Sequence, residues 1–359
     1  MASLSRTRAL ETSEASIDSV TDGIVDAFPH VLAKPALDRF TAAATGPALD
    51  FLRGLQARTY LAPMWDLDAR FRTMDEAGDY VQVLTWCSPP IEQVASGSVA
   101  VDLARIANDA MADLVARYPD RFVGFAAALP MDDPEAALRE VERAVQQMGA
   151  LGVQVFTNVN GRALDGERYE PLWARLAALD RTVWVHGARR SNTPDYEGEE
   201  RSRFGLWAAL GWPYEMGLFS GRMVASGVLD RYPGLRFYLH HSGGMTPTFS
   251  RRVNGSWLEL QVEAPEEAAA YAALKRPVAD YFKLFYADTS GQTFTAIQAA
   301  LSFFGADHVL LGSDAPFGSL VNHLATVRQL ALPAEQSEGL LGGNARRLLG
   351  ITTPTRHRS

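Results

Sequence analysis

Eight short apolar runs, each separated from the next by a longer segment, constrain this chain more than any other feature. They occupy 23–26, 80–85, 121–127, 152–156, 182–185, 236–239, 284–287 and 308–311. Runs of this length, rich in β-branched residues, predict strands buried on both faces. The segments at 100–118, 134–148, 169–179, 214–231 and 294–304 carry apolar residues at helical spacing. Asp132-Asp133 ahead of Pro134-Glu135 marks one helix start. This alternation predicts a parallel sheet with crossover helices, and eight strands are what closes a (β/α)8 TIM barrel. A doubly wound sheet is the weaker reading, because no G-x-G-x-x-G follows the first run. No linker or repeat divides the chain. The expectation is one α/β domain over 21–350, with insertions at about 32–66 and 189–212 and a final helix near 334–349. A disordered leader over 1–20 and a disordered tail over 351–359 complete it.

Charge and composition narrow the partners. Lys and Arg number 34 against 42 Asp and Glu, a net charge of −8. Such a chain does not suit a nucleic acid or an anionic membrane surface. No run of eighteen apolar residues predicts a transmembrane helix. The leader has no apolar core of a signal peptide, so a cytoplasmic location is expected. The single cysteine, Cys87, excludes a disulfide framework and reads as a small buried hydrophobe.

Barrel enzymes carry their chemistry at the C-terminal ends of the strands. His30 lies just past the first run, His186 ends the fifth, His240 and His241 end the sixth, and Asp314 follows the eighth. Taken singly, each is readily a hydrogen-bonded structural residue, and Asp314 an Asx-turn former. Gathered round one barrel mouth, they read as a site. Imidazole and carboxylate from separate strands suit zinc or a similar divalent ion. His308, His323 and His357 fall elsewhere and are expected to be structural or surface residues. Asp288, ending the seventh run, is a candidate to orient a catalytic group, with His240 beside it. Arg189-Arg190 and Glu199-Glu200 read as a solvated, salt-bridged loop, with a lid as the alternative. Trp212 is a candidate pocket wall.

The same residues carry a family resemblance. Asp26-Ala27-Phe28-Pro29-His30, Arg121-Phe122-Val123-Gly124-Phe125, Gly211-Trp212-Pro213-Tyr214-Glu215, His241-Ser242-Gly243-Gly244-Met245-Thr246-Pro247 and Gly312-Ser313-Asp314-Ala315-Pro316-Phe317 stand in one order. They resemble the amidohydrolase superfamily branch of aminocarboxymuconate-semialdehyde decarboxylase and related metal-dependent decarboxylases. That resemblance implies His30, His186 and Asp314 as ligands of one divalent ion, zinc or alternatively manganese. It implies His241 as the catalytic histidine, acting as general base, with Asp314 as ligand and proton relay. Arg58 and Arg252 stand where the family clamps substrate carboxylates, Arg252 across a homodimer. The family's first ligand position is Phe28, which binds no metal and would shape the pocket instead. The bridging lysine of two-metal amidohydrolases has no counterpart in Gln154-Val155-Phe156-Thr157, since the chain's lysines are Lys34, Lys275 and Lys283. The implied function is non-oxidative decarboxylation of a small unsaturated or hydroxy-aromatic carboxylic acid. The alternatives are a metal-dependent hydrolase or hydratase on the same scaffold, or a metal-free barrel with cyclising or binding function.

Overall fold

The computed structural model describes residues 23–252, 255, 264–291 and 293–352. The expected leader, and the tail beyond residue 352, lie outside the described residues. All eight expected strands form. They are β1 (Ile24–Asp26), β3 (Tyr80–Trp86), β4 (Phe122–Ala128), β5 (Gly152–Phe156), β6 (Thr182–His186), β7 (Arg236–Leu239), β8 (Tyr286–Asp288) and β9 (Val309–Leu310), joined by a two-residue strand β2 (His30–Val31). Every pairing is parallel, in the order β1-β3-β4-β5-β6-β7-β8-β9, with β2 continuing the β1 edge along β3. The ring closes through backbone bonds: Ala27 N–H to Leu311 O at 2.9 Å, Asp314 N–H to Phe28 O at 2.8 Å and His30 N–H to Ala315 O at 2.7 Å. The result is a (β/α)8 barrel.

Alternate strand residues fill its interior. Val25, Ala27, Val81, Val83, Ala126, Trp184, Tyr238 and Leu310 form one buried cluster inside the ring. Trp184 spans it, donating its indole N–H to Ala27 O at 2.9 Å. That ring fits because residue 152 has no side chain; a Cβ there would stand 2.7 Å from Trp184 Cζ3 and 2.0 Å from Thr182 O. The other alternate set faces outward into a larger core under the helices. At the N-terminal mouth, Ala345, Leu348 and Leu349 of the helix Asn344–Leu349 join the interior cluster, while Arg346 donates to Gly23 O at 3.2 Å.

Two local differences from the sequence reading have physical causes, and one expected insertion takes a definite form. The segment at 214–231 splits into helices Gly211–Ala225 and Val228–Arg231, because Gly227 takes a left-handed φ of 72°. Strand β8 begins two residues late, since Pro277 starts a short helix Val278–Phe282 and Leu284 N–H still bonds Tyr281 O at 3.0 Å. The insertion after β2 is helical, with Lys34–Ala43, Gly46–Gln56 and a 3-10 turn Thr59–Met64. Among the described residues, no helix is long and apolar enough to cross a membrane.

Candidate active site

The C-terminal strand ends bring His30, His186, His240, His241, Asp288 and Asp314 together. His30 Nε2 lies 3.1 Å from Asp314 Oδ1, and its other nitrogen is 3.4 Å from Thr85 Oγ1. Its carbonyl accepts a 2.7 Å bond from the buried Arg70 guanidinium, which also donates to Gln82 and to Pro63 O. Burial, then the Arg70 charge, pushes the His30 pKa down to about 3. His186 Nδ1 stands 2.8 Å from Gly187 O. A carbonyl only accepts, so Nδ1 carries the proton and Nε2 keeps its lone pair. Burial and His30 lower the His186 pKa to about 4. Both imidazoles are therefore neutral at pH 7. Asp314, held at φ 58°, has its carboxyl pushed up to about 7 by burial.

Behind these, Asp288 organises the turn after β7. Its Oδ1 accepts Ser242 N–H at 2.8 Å, Ser290 N–H at 2.9 Å and Ser290 Oγ–H at 2.8 Å, while Oδ2 is 3.2 Å from His240 Nδ1. Ser290 Oγ in turn accepts His241 N–H at 3.0 Å. This clamp is needed because residues 241–244 all have positive φ, including the non-glycine His241 and Ser242 at 55°. Left-handed non-glycine residues cost about 1–3 kcal/mol each and persist where surroundings over-determine them. His241 is thereby presented with Nδ1 buried and without a hydrogen-bond partner among the described residues. Its ring lies parallel to Trp212 at 5.8 Å and 5.0 Å from that of His186.

A cavity of about 140 Å³ is lined by His30, His186, Asp314, Trp212, Cys87, Ser88 and Phe317. Three expected ligands and the expected wall residue thus share one chamber. His241 adjoins it through Trp212 and His186. Phe28 is fully buried instead of lining it, stacked on His240 at 3.4 Å and edge-on to His30 at 4.7 Å. Arg58 and Arg252 are exposed, Arg58 at the start of the 3-10 turn and Arg252 on the helical stretch 246–252. Neither lines the cavity of its own chain. Cys87, Ser88 and Phe317 were missed as lining residues. The available signals were that Cys87 and Ser88 directly follow β3 and that Phe317 ends the segment 312–317 after β9.

Trp212 reaches the cavity because a Cβ on residue 187 would come within 2.5 Å of its own Cβ. Gly187→Ala is expected to displace the indole. Because that Cβ would also stand 2.9 Å from the Trp212 Cα, the start of the helix must shift with the ring, so tryptophan emission will change and the unfolding midpoint will fall clearly.

The protonation states predict an unusual acid profile. His30, His186, His240 and His241 have lowered pKa values, so their stabilising contribution is present above about pH 6.5 and lost as pH falls. Burial raises Asp288, Asp314 and Glu92 to about 7, so their contribution is present below about pH 4 and lost as pH rises. Each group contributes a slope of at most ~1.4 kcal/mol per pH unit. Four groups against three leave a net loss of at most ~1.4 kcal/mol per pH unit between about pH 6.5 and 4.5, and steeper loss begins below about pH 4, where unfolded carboxylates also take up protons. Urea unfolding with a chelator present checks this; a steep decline starting at pH 6.5 would contradict it.

The family model described as Amidohydrolase matches residues 37–351. The chain belongs to the amidohydrolase family. The match begins beyond Phe28 and His30, so it does not cover the departure at residue 28. Among amidohydrolase relatives, the gamma-resorcylate decarboxylase of Polaromonas sp. strain JS666 is 35% identical over 298 residues, covering 79% of this chain and 87% of its own. The 2-amino-3-carboxymuconate-6-semialdehyde decarboxylase of Dictyostelium discoideum is 29% identical, covering 80% and 77%. The crystal structure of dihydroxybenzoic acid decarboxylase from Polaromonas sp. JS666, with bound manganese and the inhibitor 2-nitroresorcinol, superposes with a TM-score of 0.75. It is 26% identical and covers 92% of this amidohydrolase and 97% of its own chain.

Proposed function

We propose that this amidohydrolase is a divalent-metal-dependent, non-oxidative carboxy-lyase acting on a small hydroxy-aromatic acid of the resorcylate kind. The observation that carries the reading is the chamber itself. About 140 Å³ walled by Trp212 and Phe317 is the size that accepts one benzene-like ring, and its floor holds His30, His186 and Asp314. The similar decarboxylases support the choice of substrate.

Two neutral imidazoles and a carboxylate lining one cavity fit a divalent ion by donor chemistry, zinc or manganese alike. As they stand, His30 and Asp314 bond each other, and among the described residues no three such side chains converge on one point. Separating that pair frees both donors. Bound there, the ion supplies a positive charge that neutralises substrate oxygens as negative charge builds. Everything else is done by the chain. Trp212 and Phe317 hold the ring and exclude water. The carbon–carbon bond to the carboxylate breaks, carbon dioxide leaves, and the electron pair stays on the ring carbon. That pair takes a proton from Asp314, which regains one from solvent, while His241 takes and returns the phenolic proton. Carbon dioxide release from 2,6-dihydroxybenzoate and related salicylates by metal-loaded protein tests this. No turnover on any of them overturns it. His186→Ala is expected to lose stoichiometric metal that wild type retains, measured by elemental analysis of freshly purified protein.

The enzyme is proposed to be a homodimer. Leu210, Tyr214 and Leu218, four residues apart on one side of the helix Gly211–Ala225 and its start, are exposed, as is Phe249 on the stretch carrying Arg252. Met245 N–H bonds Pro213 O at 3.1 Å and joins the two segments into one face. An apolar stripe of this kind marks an interface. Sedimentation of wild type is expected to give a dimer, and Tyr214→Glu with Leu218→Glu a monomer.

A further inference from the structure

Outside the inner cavity a second chamber of about 100 Å³ opens toward the surface, and Ser88 and Trp212 border both. An aromatic ladder runs between them. Phe51 meets Trp207 edge-on at 5.9 Å, Trp207 meets Trp212 edge-on at 5.3 Å, and Trp212 lies parallel to His241. Arg189 and Arg190 line the same chamber. Arg189 is already engaged: it lies 4.0 Å from Glu215 Oε1 and donates to Pro194 O at 2.9 Å.

Arg190 differs. One of its N–H groups donates to Asn160 Oδ1 and its charge reaches the buried Glu92, but no carboxylate among the described residues stands within ion-pair distance. Asn160 is itself fixed, donating to Glu92 O at 3.1 Å. The loop is pinned by Thr193 N–H to Arg190 O at 3.0 Å and Ser202 N–H to Ser191 O at 3.1 Å. The guanidinium is thus oriented from one edge only, in a partly enclosed space, with donors left over. Guanidinium geometry matches a carboxylate through paired donors, and a preorganised one loses little entropy on binding.

We propose that the outer chamber is a substrate subsite for a short acidic arm on the aromatic ring, such as carboxymethyl, with Arg190 as its anchor and Trp207 as its apolar wall. The inference rests on the inner cavity being the seat of the ring. The arm passes between Ser88 and Trp212, the residues common to both chambers. Arg190 touches no reacting atom, so it sets affinity for armed over unarmed substrates and acts through KM, leaving kcat largely unchanged.

The test compares resorcinol with 3,5-dihydroxyphenylacetate, the same ring bearing a carboxymethyl arm. Binding to manganese-loaded wild-type protein is measured calorimetrically in bicarbonate-free buffer. The armed ring is expected to bind about tenfold tighter or more. Arg190→Gln should bring the two affinities within about twofold by lowering only the armed one, and Arg190→Lys should recover part of the preference. Equal affinities in wild type, or a preference surviving in Arg190→Gln, overturn the subsite while resorcinol binding leaves the inner-cavity reading standing. Failure of both compounds to bind overturns both.

Discussion

His241→Asn is expected to lower kcat on a hydroxybenzoate substrate by about 10²–10⁴-fold, the range for losing a positioned proton-transfer group. The choice of asparagine matters. Residue 241 sits at φ 55°, a conformation asparagine tolerates better than other side chains, so the turn survives the exchange. The backbone N–H keeps its bond to Ser290 Oγ. What disappears is the buried imidazole between Trp212 and His186. The unfolding midpoint should stay within a few degrees of wild type, and metal content should not change. Activity within tenfold of wild type would remove His241 from the reaction.

Asp26→Ala is expected to cost about 4 kcal/mol or more of stability in urea unfolding. Asp26 is fully buried at the end of β1, and its two oxygens accept from Phe28 N–H, Ser313 N–H, Ser313 Oγ–H and Tyr80 Oη–H. Removing the carboxylate strands four buried donors, each costing about 1–3 kcal/mol when unpaired, and water recovers part. These donors join β1, β3 and the segment after β9, so the loss falls where the ring closes. His30 and Asp314 flank that closure, and activity should fall with stability. A loss below about 1.5 kcal/mol would show that the backbone bonds alone close the ring.

Much of this was legible in the sequence. Apolar runs bounded by turn residues identified every barrel strand, because a strand buried on both faces admits little else. Strand β2 escaped notice: two residues carry no periodicity, and only the pairing of His30 and Val31 with Thr85 and Trp86 makes them a strand. Histidines and Asp314 at strand ends were readable because barrel geometry alone gathers them. The lining by Cys87, Ser88 and Phe317 was not, since loop side chains point where tertiary contacts send them. Nor was the left-handed pair His241–Ser242, whose local preference opposes the conformation that Asp288 and Ser290 impose. Phe28 was legible as a departure, but its stacking on His240 depends on contact between β1 and the end of β7.

The helix Asn344–Leu349, which seals the lower mouth, is also among the last parts of the barrel to be synthesised. Asp26 finds Ser313 at a separation of 287 residues, and the interior cluster is incomplete until Leu349 arrives. A growing chain therefore leaves the ribosome with its first strand lacking one neighbour for nearly the whole of synthesis, many seconds at ~5–20 residues per second. Early strands must wait with apolar faces exposed. Loss of the last few dozen residues would leave them so permanently, making truncated products candidates for aggregation and chaperone capture.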